Sequence, residues 1–249
     1  MNPAEFSNIA RSEQSFWWYR GMNQILFRLL DPVAGARHFT RVLEAGCGTG
    51  YLASLLAKRY GWRMYPLDLG MEGLRHARSL GVGRLVQADI ARLPFPRASF
   101  DAVLSMDVIV HFPRGEETRA MAELARVLSA GGLLALRVSA LDILRSRHSE
   151  FAHERQRFTR RRLVRLAESC GIAVQRCTYA NSLLMPAALA KFRIWEPLTH
   201  QPPASGVQPV HPALDRLLGA VLDAEAACIG KGVNFPLGQS LVLLGYKRA

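Results

Sequence analysis

The chain has 249 residues, 49% of them hydrophobic, enough to core one α/β domain with an elaboration. Its net charge is +12, carried far more by arginine than by lysine; a balance this basic suits nucleic acid, an anionic surface, an acidic substrate or a solvated exterior. No run of about 18 apolar residues could cross a membrane, and residues 1–20 hold no apolar signal core. The four cysteines (Cys47, Cys170, Cys177, Cys228) show neither a C-x-x-C pair nor metal-ligand spacing, so reduced thiols, a cytoplasmic location and no metal are expected.

Residues 1–12 read as loose. Apolar residues at helical spacing then run through Ile25, Leu26, Leu29 and Leu30 to Asp31-Pro32, with Ser12 or Glu13 as the cap. The helix opens on Phe16-Trp17-Trp18-Tyr19. Four consecutive aromatics cannot share one helix face, so some line a pocket or clamp the helix against the sheet edge. A strand over 40–45 follows, and Gly46, Gly48 and Gly50 lead into a helix over 50–60. A strand, a glycine turn and a helix start let a ligand approach backbone with no Cβ in the way and offer it free N–H groups. The spacing is G-x-G-x-G, where a dinucleotide loop has G-x-G-x-x-G. Glu44, two residues ahead of the first glycine, would repel a pyrophosphate and attract an ammonium. An amino-acid-bearing nucleoside, a dinucleotide and an unliganded turn all remain open at this point.

A second strand covers 62–67, and Asp68 ends it about 20 residues after the glycines. A carboxylate there accepts from both hydroxyls of a ribose, or it caps a helix over 70–80. A strand over 83–87 leads to Asp89-Ile90, prolines make a loop, and a strand over 100–105 runs into Met106 and, six residues on, Phe112. His111 thus lies at the C-terminal edge of a parallel sheet, where α/β proteins bind ligands. A helix over 114–128, a turn at Ala130-Gly131-Gly132 and a strand over 133–138 follow. Eight arginines then crowd 141–165 with His148 and His153. They form a solvated face, grip an anionic substrate group, or bind nucleic acid; only Phe151 and Phe158 interleave for stacking. Beyond come a strand over 172–179, an apolar helix over 181–195 interrupted at Pro186, a proline-rich loop over 196–212 (Pro197, Pro202, Pro203, Pro209, Pro212), a helix over 212–229 and a strand over 240–246.

The stretch LEAGCGTG resembles motif I of the class I S-adenosylmethionine methyltransferases. ADIARLPFPRASFDAVLSMDVIVHF resembles that family's run from its adenine-binding aspartate through its fourth motif. ELARVLSAGGLLAL is similar too, departing at Ala130 where the family often has proline. The segment E..(F/H)WW(F/Y)R that precedes motif I in similar enzymes matches residues 13–20, and 147–172 resembles a subgroup with RRY(T/S)xxxL after strand five. The resemblance covers about residues 13–180 and points to a small-molecule, methyltransferase type 11-like enzyme.

It implies a Rossmann-like α/β fold: a seven-stranded, mostly parallel sheet with an antiparallel last strand between strands five and six, and helices on both faces. Residues 1–35 would form a helical lid, 36–180 the S-adenosylmethionine-binding core, 181–238 a helical and proline-rich substrate cap, and 239–249 the last core strand. By the same resemblance Gly46, Gly48 and Gly50 face the methionine and ribose of S-adenosylmethionine, and Glu44 lies near its ammonium. Asp68 holds the ribose, Leu69 packs on the adenine, Asp89 and Ile90 meet the adenine edge, and the Met106 backbone sits near the methionine. S-adenosylhomocysteine is the product. Methyl transfer needs a base only for some acceptors; His111 and Tyr19 are the candidates, ahead of His148 and His153. Phe16, Trp17, Trp18 and His111 would meet the acceptor. The expected activity is methylation of a small molecule at O, N or C, in bacterial secondary metabolism, by a monomer or homodimer without membrane insertion. A nucleotide-dependent reductase lacks its Tyr-x-x-x-Lys pair. A nucleic-acid (RNA) methyltransferase is an alternative, but N-P-P-(Y/F) and Pro-Cys are absent. A non-catalytic S-adenosylmethionine-binding protein is the other, and the intact motif set argues against it.

Overall fold

In the computed structural model, which describes residues 3–208 and 210–249, seven strands form one sheet. They are β1 (Arg41–Ala45), β2 (Arg63–Asp68), β3 (Val86–Gln87), β4 (Phe100–Met106), β5 (Leu128–Ser139), β6 (Ile172–Ala180) and β7 (Ser240–Lys247). Their order is β3-β2-β1-β4-β5-β7-β6. The first five pair in parallel, and β7 runs antiparallel between β5 and β6, as expected. Met1, Asn2 and Pro209, which the sequence reading assigned to loose segments, lie outside the described residues.

The helices are α1 (Pro3–Ser12), α2 (Trp17–Ala36), α3 (Tyr51–Tyr60), α4 (Met71–Ser79), α5 (Glu117–Val127), α6 (Arg147–Phe151), α7 (Arg160–Ser169), α8 (Met185–Ala190), α9 (Glu196–Thr199) and α10 (Pro212–Gly230). Because side chains alternate along a strand, Val42, Ala102 and Leu133 face one core while Leu43, Val103 and Leu134 face the other. The first core takes Ile25 and Leu29 of α2, Leu56 of α3 and Ile229 of α10; the second takes Met121 and Leu124 of α5 and Leu163 of α7. The α2–α10 contact is close: a Cβ on Gly21 would sit 2.4 Å from Leu222, and Asp215 accepts from the Trp17 amide at 3.0 Å and pairs with Arg20 at 2.5 Å.

Several boundaries differ from the sequence reading. Residues 3–12 are helical, because Phe6 packs onto α4, where a Cβ on Gly73 would lie 2.7 Å from its ring. Neither Ser12 nor Glu13 caps α2; Phe16 precedes it without a side-chain cap, and Glu13 turns inward. Pro32 does not end α2, which gives up one i→i−4 bond and continues to Ala36. The turn at Ala130-Gly131-Gly132 is a bulge inside a longer β5: Leu128 pairs with Phe100 and Leu133 with Ala102. Pro186 opens α8 instead of interrupting a helix. A π-helical turn, Lys191–Trp195, then joins α8 to α9, so helical structure persists to Thr199.

Candidate active site

A cavity of about 1260 Å³ opens at the C-terminal edge of β1, β2 and β4, beneath α1, the start of α2 and the π-helical turn. It exceeds the roughly 300–1,000 Å³ of a typical ligand pocket. Its floor is the glycine loop. The Gly46 and Cys47 amides donate to the Leu67 carbonyl at 2.7 and 2.8 Å, lashing the loop to β2. Gly46 has φ +87°, and a Cβ there would lie 2.1 Å from Val108. At Gly48, φ +54°, a Cβ would meet nothing within 4 Å: this wall of the cavity stands open.

Three carboxylates crowd this end. Asp68 accepts from the Gly48 amide at 2.8 Å through Oδ2 and from the Gly70 amide at 2.7 Å through Oδ1. It therefore braces both turns, and each oxygen keeps a lone pair for a ligand. Burial raises its pKa. Glu44 is 2% exposed, and its Oε2 has no hydrogen-bond partner. Burial, with repulsion from Asp68 and Glu13, pushes its pKa up to about 8. Glu13 accepts from the Thr49 hydroxyl, and burial raises its carboxyl to about 7. A buried carboxylate oxygen without a partner is costly unless a cation meets it. The orphaned Glu44 oxygen and the open wall at Gly48 thus fit a ligand that carries an amine.

The cavity continues past Asp89, whose Oδ1 accepts from the Ala91 amide at 2.8 Å. Ile90 is buried in the core below, while Leu69 stands 67% exposed at the rim. Met106 closes β4. Next to it Asp107 pairs with Arg137 at 2.7 Å, and that guanidinium lies 5.0 Å from the Trp18 ring. Phe16, Trp17, Trp18 and Tyr19 all line the cavity, with Phe16–Trp17 and Trp18–Tyr19 centroids 5.5 and 5.1 Å apart. Burial, reinforced by Glu5, holds the Tyr19 phenol protonated, so its hydroxyl is a donor.

His111 sits on the one-turn segment after β4, its Nδ1 3.2 Å from the His153 carbonyl. A carbonyl only accepts, so Nδ1 carries the proton and Nε2 keeps its lone pair. Burial lowers the pKa, which favours this neutral form. His148 accepts from the Gly206 amide at 3.0 Å and lies 3.7 Å from Glu5; it joins α6 to α1 and the 200–208 segment. His153 lies off the cavity wall and contributes its carbonyl. The arginine-rich stretch divides: Arg147, Arg155 and Arg157 line the cavity, and Arg160, Arg161 and Arg165 are exposed on α7. Glu13, the Asp107–Arg137 pair and Lys191 belong to the wall without having been singled out for it, whereas Arg155 comes from the arginine-rich stretch. Only Glu13 had a signal, its place three residues ahead of the aromatic run. Among the described residues, no group of three or more His, Cys, Asp or Glu is arranged to hold a metal ion, and no helix is long and apolar enough to cross a membrane.

Residues 43–136 match a family model described as a methyltransferase domain. A Mycobacterium tuberculosis protein named "Probable S-adenosylmethionine-dependent methyltransferase" is 37% identical over 122 residues, 49% of this chain and 42% of that protein. The malonyl-[acyl-carrier protein] O-methyltransferase of Enterobacter lignolyticus is 35% identical over 130 residues, 51% of each chain. The chain thus spans about half the length of the curated relatives it matches. Its fold is that of a SAM dependent methyltransferase from Archaeoglobus fulgidus, with a TM-score of 0.59 at 16% identity over 94% of this chain and 97% of that one.

Proposed function

We propose that this chain, whose residues 43–136 are a methyltransferase domain on a class I methyltransferase fold, moves a methyl group from S-adenosylmethionine to a small-molecule acceptor. The observation that carries this reading is the unpartnered, buried Glu44 oxygen beside the glycine loop. On this reading Glu44 holds the amino group, Asp68 the ribose hydroxyls, and Gly46, Gly48 and Gly50 let the ligand lie against backbone. Leu69 covers the adenine, Asp89 and the Ile90 backbone meet its edge, and the Met106 backbone flanks the methionine portion. When bound, S-adenosylmethionine supplies an electrophilic methyl group on a sulfonium. The chain's own task is then mostly alignment. Phe16, Trp17 and Trp18 pack against the apolar part of the acceptor, and Tyr19 donates a hydrogen bond. His111 Nε2 takes the acceptor's proton when the acceptor is a hydroxyl or a protonated amine. Residues 1–35 act as a lid and 181–238 as a cap over the 36–180 core. The O-methyltransferase name of the Enterobacter relative supports an acceptor other than nucleic acid.

Calorimetric titration tests the cofactor. S-adenosylmethionine and S-adenosylhomocysteine are expected to bind and NADH is not. Asp68→Ala is expected to weaken S-adenosylmethionine by about 1–3 kcal/mol, the scale of hydrogen bonds to a charged group. NADH binding without S-adenosylmethionine binding, or an unchanged affinity in a folded Asp68→Ala variant, would overturn the assignment.

A further inference from the structure

The charge of the cavity is not uniform. Around the glycine loop stand Glu13, Glu44 and Asp68, all acidic. Toward His111 and the π-helical turn arginines and Lys191 stand among carboxylates that are mostly engaged, Asp107 by Arg137 at 2.7 Å. Glu154 accepts from Arg157 at 2.6 Å and from Ser139 at 2.9 Å. Glu196 accepts from the Arg147 amide at 2.9 Å, and Glu5 accepts from Ser205 at 2.9 Å; Glu116 is exposed on the wall. Two cations lining this end have no carboxylate partner among the described residues: Arg155 and Lys191.

Both are placed by rigid backbone. The Arg155 amide donates to the Val110 carbonyl at 2.9 Å, and its own carbonyl accepts from Arg145 at 2.7 Å. Since Val110 precedes His111 and His111 is bound to the His153 carbonyl, the backbone of Arg155 is held next to the candidate base, with its side chain exposed at the cavity wall. Lys191 begins the π-helical turn, a rare geometry often found at functional sites. That turn brings Lys191, Phe192 and Trp195 to the cavity wall.

Building on the methyl-transfer reading of this cavity, we propose that the acceptor carries an anionic group, a carboxylate or a phosphate, held by Arg155 and Lys191 beside His111. Arg155 offers a planar fork that can bind two oxygens at once, and Lys191 adds a point charge across the mouth. The apolar remainder of the acceptor lies on Phe192, Trp195 and the aromatic run of α2. The anion then acts as an anchor that orients the accepting atom toward His111.

The test is calorimetric titration of the full chain, saturated with S-adenosylhomocysteine, with benzoate, phenyl phosphate and neutral benzyl alcohol. At least one anion is expected to bind about tenfold or more tightly than benzyl alcohol, the loss of a charge-assisted contact being worth about that factor. A preference for benzoate assigns a carboxylate, and a preference for phenyl phosphate assigns a phosphate. The Arg155→Gln/Lys191→Gln double variant is expected to bring all three probes within about twofold while melting as the parent does. The Lys191→Gln single variant, at an exposed position, gives a partial loss should the double variant fail to fold. Equal binding of neutral and anionic probes, no anion binding, or a preference that survives in the variants overturns the proposal. If S-adenosylhomocysteine itself does not bind, the methyl-transfer reading fails, and the same titrations on the ligand-free chain still decide the anion preference.

Discussion

Glu44 concentrates the physics of the site in one side chain. Its folded-state pKa of about 8 lies above the ordinary 4.5. Between those values the unfolded chain has released a proton that the folded chain keeps. Stability therefore falls as pH rises from about 4.5 to 8 and stays low above that. Glu44→Gln removes the burden: the ligand-free variant is expected to melt a few degrees above the parent at pH 8, about 1–2 kcal/mol in a chain of this size, and to match it near pH 4.5. It is also expected to bind S-adenosylmethionine more weakly. Melting curves and titrations at both pH values check this, and a variant less stable at pH 8 with undiminished affinity would contradict it. His111 gives the opposite sign. Its pKa is lowered by burial, so the neutral imidazole persists below the ordinary 6.5. The acid limb of turnover is expected below that pH, and His111→Ala should abolish the limb and slow turnover by about 10²–10⁴-fold if the acceptor must lose a proton. Asp68 was legible in the sequence because its spacing from the glycines is local, while Asp89 came only with the family resemblance. The arginine-rich stretch was legible as a grip for an anion, but not which of its arginines faces the cavity, and Lys191 not at all, since what distinguishes Arg155 and Lys191 is the absence of a carboxylate partner in a wall assembled from distant segments.

At the scale of elements, the glycine loop separates folding from binding. At Gly46 both the positive φ and the Val108 contact forbid a side chain; at Gly48 only the φ does. Gly46→Ala is expected to destabilise the whole sheet edge. Gly48→Ala is expected to cost only the left-handed strain, about 1–2 kcal/mol, yet to lose S-adenosylmethionine. Thermal melting beside calorimetry distinguishes the two, and equal effects on both readouts would reject the distinction. The strand–turn–helix pattern was readable because each step has its own residue signature. The helix over residues 3–12 was not: Phe6 and Ile9 make too short an apolar stripe, and what orders the helix is the face of α4 that Phe6 covers. The β5 bulge reads as a turn from sequence, since Gly131 suits either and only the pairing of Leu128 with Phe100 decides. The π-helical turn has no local sequence signal at all.

Across the whole molecule, the lack of a crossover helix after α10 allowed β7 to run antiparallel, and the family resemblance placed it between β5 and β6. The contacts that join the roof to itself did not follow from any pattern. Glu5 of α1 reaches Ser205, 200 residues away, and His148 of α6 reaches the Gly206 amide, 58 away, so distant segments meet above one cavity. Phe6→Ala, which loosens α1 from α4, is expected to speed release of S-adenosylhomocysteine severalfold in stopped-flow fluorescence with the sheet still folded; an unchanged rate would separate α1 from cofactor retention. The net charge of +12 also resolves spatially: part of it coats α7, where Arg160, Arg161 and Arg165 are exposed. The most direct test of the central claim is a crystal structure of the chain with S-adenosylhomocysteine. The account predicts its amino group on Glu44 Oε2, its ribose on Asp68, its adenine between Leu69 and Asp89-Ile90, and its sulfur facing His111 and the aromatic run. Density for the ligand elsewhere, or a Glu44 oxygen still without a partner, would contradict it.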